Sequence, residues 1–70
     1  MMFISVESLR VGDMIAGEFT VTGAPVLNDQ QGVMLEVTDR HGRVLTVSAM
    51  VGDTRRRTYS SASDKFEFIV

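Results

Sequence analysis

Cysteine is absent from this 70-residue chain, and histidine occurs once, at His41. No disulfide can form, and a lone imidazole without thiolate partners cannot hold a structural zinc, so the two staples common in small domains are excluded. No cofactor is expected. The N-terminal stretch Met1, Met2, Phe3, Ile4, Ser5, Val6 has neither the basic leader of a secretory signal nor an apolar run long enough to cross a bilayer. With cysteine missing as well, the chain is expected to be cytoplasmic and to have no membrane partner. Positive charge is also scarce: seven Lys and Arg stand against nine Asp and Glu, for a formal charge of −2. That balance argues against a nonspecific nucleic-acid coat, whose affinity comes from many basic groups displacing counterions from phosphates.

What is present fits one globular domain, residues 1–70, with 44% hydrophobic and 23% charged residues. A domain this short buries a small share of its chain surface, so stability must come from packing, with a partner chain as one way to add to it.

Glycine and aspartate cut the sequence into runs of roughly five to eight residues, the spacing of short antiparallel strands rather than helices. Met2 and the residues up to Val6 read as a first strand, followed by at most one helical turn, with Leu9 plugging the core and Val11, Gly12 and Asp13 reversing the chain. Residues 14–22 alternate, with Ile15, Gly17, Phe19 and Val21 on one face and Glu18, Thr20 and Thr22 on the other. They read as one half-buried strand, with Gly17 as a bulge or sharp bend. Gly23, Ala24 and Pro25 turn the chain, Val26 and Leu27 form a strand fragment, and residues 28–32 are a polar loop. Residues 33–48 carry the strongest local signal. Val33, Leu35 and Val37 alternate up to Asp39, Arg40, His41 and Gly42, a type I turn closed by a glycine at positive φ, and Leu45 and Val47 lead back. Val51, Gly52 and Asp53 repeat the earlier triplet as a second turn. A polar strand over 55–59, a serine-rich loop and a last strand over 65–70 complete the chain. The expected fold is all-β, a small antiparallel barrel or roll of five or six strands. Its core is expected to comprise Ile4, Leu9, Ile15, Phe19, Val21, Val33, Leu35, Val37, Leu45, Val47, Phe66 and Phe68.

The run Leu9, Arg10, Val11, Gly12, Asp13, Met14, Ile15 is a leucine plug followed by Gly-Asp and an alternating strand. It resembles the opening of small SH3-like barrels, KOW-type modules among them, and is similar to short proteins of actinobacterial phages and mobile elements. The resemblance implies an SH3-like barrel and no particular function. The glycine-rich nucleic-acid-binding stretch of a KOW motif is missing, so RNA or ribosome binding is not implied.

Catalytic constellations are not legible. Nucleophilic catalysis needs a hydroxyl or thiol beside an oriented base, and the one imidazole, His41, falls on a hairpin tip. Ser60, Ser61 and Ser63 read as linker chemistry. Asp13, Asp29, Asp39, Asp53 and Asp64 all fall in turns, where aspartate bonds local amides, and none sits in a calcium-loop pattern. The chain is therefore not expected to be an enzyme.

Two surface features remain. In an extended strand Arg55, Arg57 and Tyr59 share a face and Arg56 points opposite; two guanidiniums beside a phenol suit a phosphate backbone and a stacked base. The competing reading is a solvated edge or cross-strand ion pairs. Met14, Met34, Val44, Met50 and Ile69 form the second feature, apolar residues opposite the core stripes. They either fill the ends of the barrel or form an adaptable contact surface.

The sequence thus predicts a non-enzymatic protein-binding or self-associating accessory module, such as a phage-encoded regulatory factor. The expected contact residues are Met34, Ile69, Arg55, Arg57 and Tyr59, and the partner is another protein or a second copy. The alternative partner is nucleic acid, bound weakly by Arg55, Arg57 and Tyr59 with Arg40, Arg43 and Lys65 extending the patch.

Overall fold

The computed structural model describes residues 2–61. Seven strands occur in chain order: β1 (Met2–Ser5), β2 (Met14–Ile15), β3 (Phe19–Val21), β4 (Val26–Leu27), β5 (Gly32–Thr38), β6 (Val44–Met50) and β7 (Thr54–Tyr59). A 3-10 turn, Val6–Ser8, follows β1. All pairings are antiparallel and build one sheet in the order β1-β7-β2-β3-β5-β4, with β6 on the remaining edge of β5. The expected all-β class is present, and among the described strands and turns the one regular helical element is this 3-10 turn.

The strand β5 organises the core because its residues alternate strictly. Val33, Leu35 and Val37 are fully buried while Met34 and Glu36 are exposed, the period-two pattern of a strand with one dry face. Val6, Leu9, Ile15 and Val21 complete the buried cluster, and Ile4, Phe19, Val47 and Ala49 pack against it. Val6 was not among the expected core residues. It opens the 3-10 turn, and its amide donates to the Asp53 carbonyl at 2.8 Å, which extends the β1–β7 pairing by one residue.

Three expectations need correction. Residues 14–22 are not one strand but a tight hairpin, β2 and β3, in which Ile15 faces Phe19. Ala16 (φ 56°) and Gly17 (φ 65°) both adopt left-handed backbone, and the Glu18 amide donates to the Ile15 carbonyl at 3.1 Å. The alternation survived this reversal because Ile15 and Phe19 lie directly opposite one another on one face. Secondly, the sheet is not closed into a barrel among the described residues, where β1 pairs with β7 alone and β6 with β5 alone. Thirdly, Leu45 is 41% exposed although it faces the fully buried Val37. No strand among the described residues pairs with the far edge of β6, so this strand has a neighbouring strand on one side only. The expected core positions Phe66 and Phe68, and the last strand itself, lie outside the described residues.

Two loops share one design. Asp39 Oδ1 accepts the amides of His41 and Arg43, and the Asp39 amide donates to the Arg43 carbonyl. Asn28 Oδ1 likewise accepts the amides of Gln30 and Gly32, and its own amide donates to the Gly32 carbonyl. In each loop the fourth residue carries positive φ, 82° at Gly42 and 63° at Gln31. The side-chain oxygen at the first position thus ties down the amides of the loop and fixes the register of the strands it joins. The two Val-Gly-Asp turns match as well. Gly12 and Gly52 have φ of 97° and 96°, and Asp13 and Asp53 each accept, through Oδ2, the amide three residues back, at 2.9 Å.

Candidate functional site

Four exposed apolar residues share the outer face of β4, β5 and β6, while others, Met2 and Phe3 on β1 among them, lie elsewhere. Val26 lies opposite Met34 and Met34 opposite Ser48, while Val44 and Met50 stand at the two ends of β6. Val26, Met34, Val44 and Met50 are each more than half exposed. Between β3 and β4 the chain leaves the edge of β5 at Gly23, Ala24 and Pro25, and this departure opens a shallow groove of about 400 Å³ lined by Gly23, Ala24, Val26, Met34, Glu36 and Thr46. Its wall is set by Glu36, whose carbonyl accepts the amides of Thr22 and Gly23 and whose Oε1 accepts the Thr22 hydroxyl at 2.9 Å. Gly23 packs closely there, and a Cβ at that position would stand 3.0 Å from that of Glu36, so Glu36 would have to give way.

Among the described residues no strand pairs with the outer edge of β6, which adjoins this face, and its hydrogen-bonding phase follows from the ends of the hairpin. The Val51 amide donates to the Gln31 carbonyl, and the Asp39 amide to the Arg43 carbonyl. In an antiparallel ladder these bonds alternate, so Leu45, Val47 and Ala49 exchange bonds with β5. Val44, Thr46, Ser48 and Met50 therefore turn their amides and carbonyls to the free edge. Natural edge strands are usually blunted by lysine, proline or a bulge. The β6 sequence Val-Leu-Thr-Val-Ser-Ala-Met has no charge and no proline, and its pairing with β5 runs without a register shift.

The basic strand is arranged differently from a phosphate cradle. In β7, Arg55 and Arg57 are half-buried and Arg56 is exposed, so the expected division of faces holds, but the arginine pair faces inward. The Arg57 guanidinium lies 3.7 Å from Oδ2 of the fully buried Asp13 and donates to the Met2 sulfur. Arg55 donates to the carbonyl of Thr54. Tyr59 is exposed and lies opposite Met14. On the outer side Arg56 stands opposite the exposed Phe3, an aromatic neighbour the sequence pattern did not single out. Arg40 and Arg43 sit on the β5–β6 loop, and β2 and β3 lie between β5 and β7 in the sheet. Arg43 is held to Asp39 at 2.7 Å. The structure therefore does not gather Arg40 and Arg43 with Arg55, Arg57 and Tyr59, and Met34 lies on a different part of the sheet from all three. Lys65 and Ile69 lie outside the described residues.

Both buried aspartates act on the backbone. Burial is the largest influence on Asp13 and would raise its pKa, but the amides of Arg10 and Ser61, the Ser61 hydroxyl and the Arg57 charge together outweigh it and hold the carboxyl below the usual value. The Arg43 amide leads the influences on Asp39, and with the Arg43 side chain and the His41 amide it overcomes the cost of burial and lowers that pKa too. Among the described residues no three His, Cys, Asp or Glu side chains are grouped to hold a metal ion, and no helix is long and apolar enough to cross a membrane. No protein-family model, curated protein or solved structure matches this chain.

Proposed function

We propose that the chain is a non-enzymatic protein-interaction module of SH3-like descent, an accessory factor that docks through the outer face of β4, β5 and β6 and the adjoining free edge of β6. The observation that carries this reading is the coincidence of four exposed apolar side chains, Val26, Met34, Val44 and Met50, with an uncharged strand whose outer edge is unpaired among the described residues. Sheets extend by strand addition at such edges, where main-chain bonds give affinity and side chains on alternate faces give selectivity. An apolar patch beside the edge adds burial to the main-chain bonds. The occupied state of Arg57 favours this reading over nucleic-acid binding, since a guanidinium engaged with a buried carboxylate is not free to take a phosphate.

A photo-crosslinking residue placed at Met34 in the living source cell tests the reading, with the same residue at Arg56 as control. Crosslinking to a protein from position 34 and not from position 56, abolished by Val26→Glu, is the expected result. Absence of any protein adduct from position 34 overturns it.

A further inference from the structure

We infer that the occupant of the β6 edge is a second copy of this chain, joined β6 to β6 in antiparallel fashion about a twofold axis at Val47. The inference rests on the reading of this surface as a protein-binding site and names its partner. Three observations on the strand lead to it.

The first is phase. Only Val44, Thr46, Ser48 and Met50 present amides and carbonyls to the open edge, so a second strand must meet these residues in hydrogen-bonded pairs. Centring the axis on Val47 places Val44 against the partner's Met50 and Thr46 against the partner's Ser48, and the reverse by symmetry. Every edge residue of both strands is then used. Centring it on Thr46 or Ser48 leaves one end of the strand without a strand partner.

The second is the match of side chains. The same register sets Val44 beside the partner's Met50 on the outer face, and Leu45 beside the partner's Ala49 on the inner face with the two Val47 side chains at the centre. Leu45, which is left 41% exposed beside the buried Val37, gains the missing neighbour. A twofold interface brings each strand against its own reversed copy, and a strand with no charged residue meets no like charge.

The third is charge at the strand ends. The Val44 end of β6 carries Arg40 and the Arg43–Asp39 ion pair. The Met50 end carries Asp53, Asp29 in the neighbouring loop, and Glu7, whose carboxylate accepts the Gly52 amide. Antiparallel pairing brings the basic end of one copy to the acidic end of the other, twice. Complementary ends favour this orientation and register over a parallel one, which would oppose like charges.

Sedimentation of the full chain across a concentration range tests the inference, together with two double variants at exposed positions. Thr46→Lys with Ser48→Lys places lysine opposite lysine across the axis, whereas Thr46→Glu with Ser48→Lys places glutamate opposite lysine. The expected result is a wild-type dimer that dissociates on dilution, a double-lysine chain that stays monomeric with an unchanged β-sheet circular dichroism spectrum, and a glutamate–lysine chain that still dimerises. Should the double-lysine chain lose its β spectrum, Thr46→Glu with Ser48→Glu supplies the same repulsion with the opposite sign. A dimer indifferent to these charges overturns the inference, as does a wild-type chain that is monomeric at every concentration. In the monomeric case, slow hydrogen exchange at the Thr46 and Ser48 amides assigns the edge to residues 62–70 of the same chain. Fast exchange there, with a crosslink from position 34 to a different protein, leaves the interaction module standing with another partner. Fast exchange with no crosslink removes both readings.

Discussion

Asp13 Oδ1 accepts both the amide and the hydroxyl of Ser61, at 2.8 and 3.0 Å, across 48 residues of chain. Its other oxygen holds the Arg10 amide and faces Arg57. One carboxylate therefore closes the first Val-Gly-Asp turn and fastens the chain just beyond β7 beside it. The matching carboxylate of Asp53 is exposed and accepts the local Met50 amide. Asp13→Ala leaves the Ser61 and Arg10 amides and the Arg57 charge without their acceptor. It is expected to cost about 2–4 kcal/mol in urea unfolding, a large fraction of the stability of a domain this size.

The pH dependence follows from the same carboxylate. Asp13 titrates in the folded chain below the 3.8 of a free side chain, so its contribution is complete above that value and is lost as the pH falls through the lower folded pKa. Asp39 acts in the same direction. Stability should therefore hold from neutral pH down to about pH 4 and fall below it, with a shallower fall in Asp13→Asn. Thermal unfolding monitored between acid and neutral pH gives the comparison, and an equally steep acid loss in the variant would contradict the assignment.

The paired loops make opposite predictions at equivalent positions. Gln31 holds positive φ with a side chain where the other loop has Gly42. Gln31→Gly is expected to stabilise by about 0.5–1 kcal/mol, and Gly42→Ala to destabilise by about 1 kcal/mol. Chemical denaturation of the two variants measures both signs in one experiment.

Leu35 and Leu45 look alike in the sequence and differ in the fold. Leu35→Ala empties a fully buried site on the central strand and should cost about 2–5 kcal/mol. Leu45→Ala acts on a partly exposed side chain and should cost about 1 kcal/mol or less in the monomer. Equal losses at low protein concentration would mean that β6 is covered on its inner face.

Arg57→Ala removes the guanidinium beside Asp13 and is expected to lower stability by about 1–3 kcal/mol, while Arg56→Ala, on the exposed face, should change it by less than about 0.5 kcal/mol. Fluorescence anisotropy with oligonucleotides at low salt provides the second readout. A strong salt-dependent affinity lost in Arg57→Ala with no change in stability would restore the phosphate-binding reading.

Local chemistry made much of the sheet legible. The alternation in β5, the Asp39 loop with its glycine at positive φ, and the Gly-Asp turns each rest on a few neighbouring residues whose preferences agree with the fold. Reversal between Ile15 and Phe19 was hidden because Ala16 sits in backbone usually left to glycine, and because a face pattern continues through so short a hairpin. The sequence marks the Asn28 segment as a loop but not as the twin of the Asp39 loop, since its glycine falls one position late, at Gly32, and Gln31 occupies the strained place. Val6 ended an apolar run with no sign that it would be the residue turned inward. For the surface, the exposure of Met34 and the separate face of Arg56 followed from alternation. That Arg57 would be drawn in by Asp13 did not, because the contact joins residues far apart in the chain. The free edge of β6 was equally out of reach, as edges are set by the order of strands in the sheet.

A sheet left open at β6 is also open at β1, whose outer side is unpaired among the described residues. Joining β6 of one molecule to β1 of the next would repeat without limit, a ribbon growing from both ends, whereas joining β6 to itself stops at two. The four-residue β1 offers a shorter template than the seven-residue β6. The shorter β1 makes the β6-to-β1 ribbon the weaker of these two pairings, and a variant with a lengthened β1 is the one expected to shift association toward fibres.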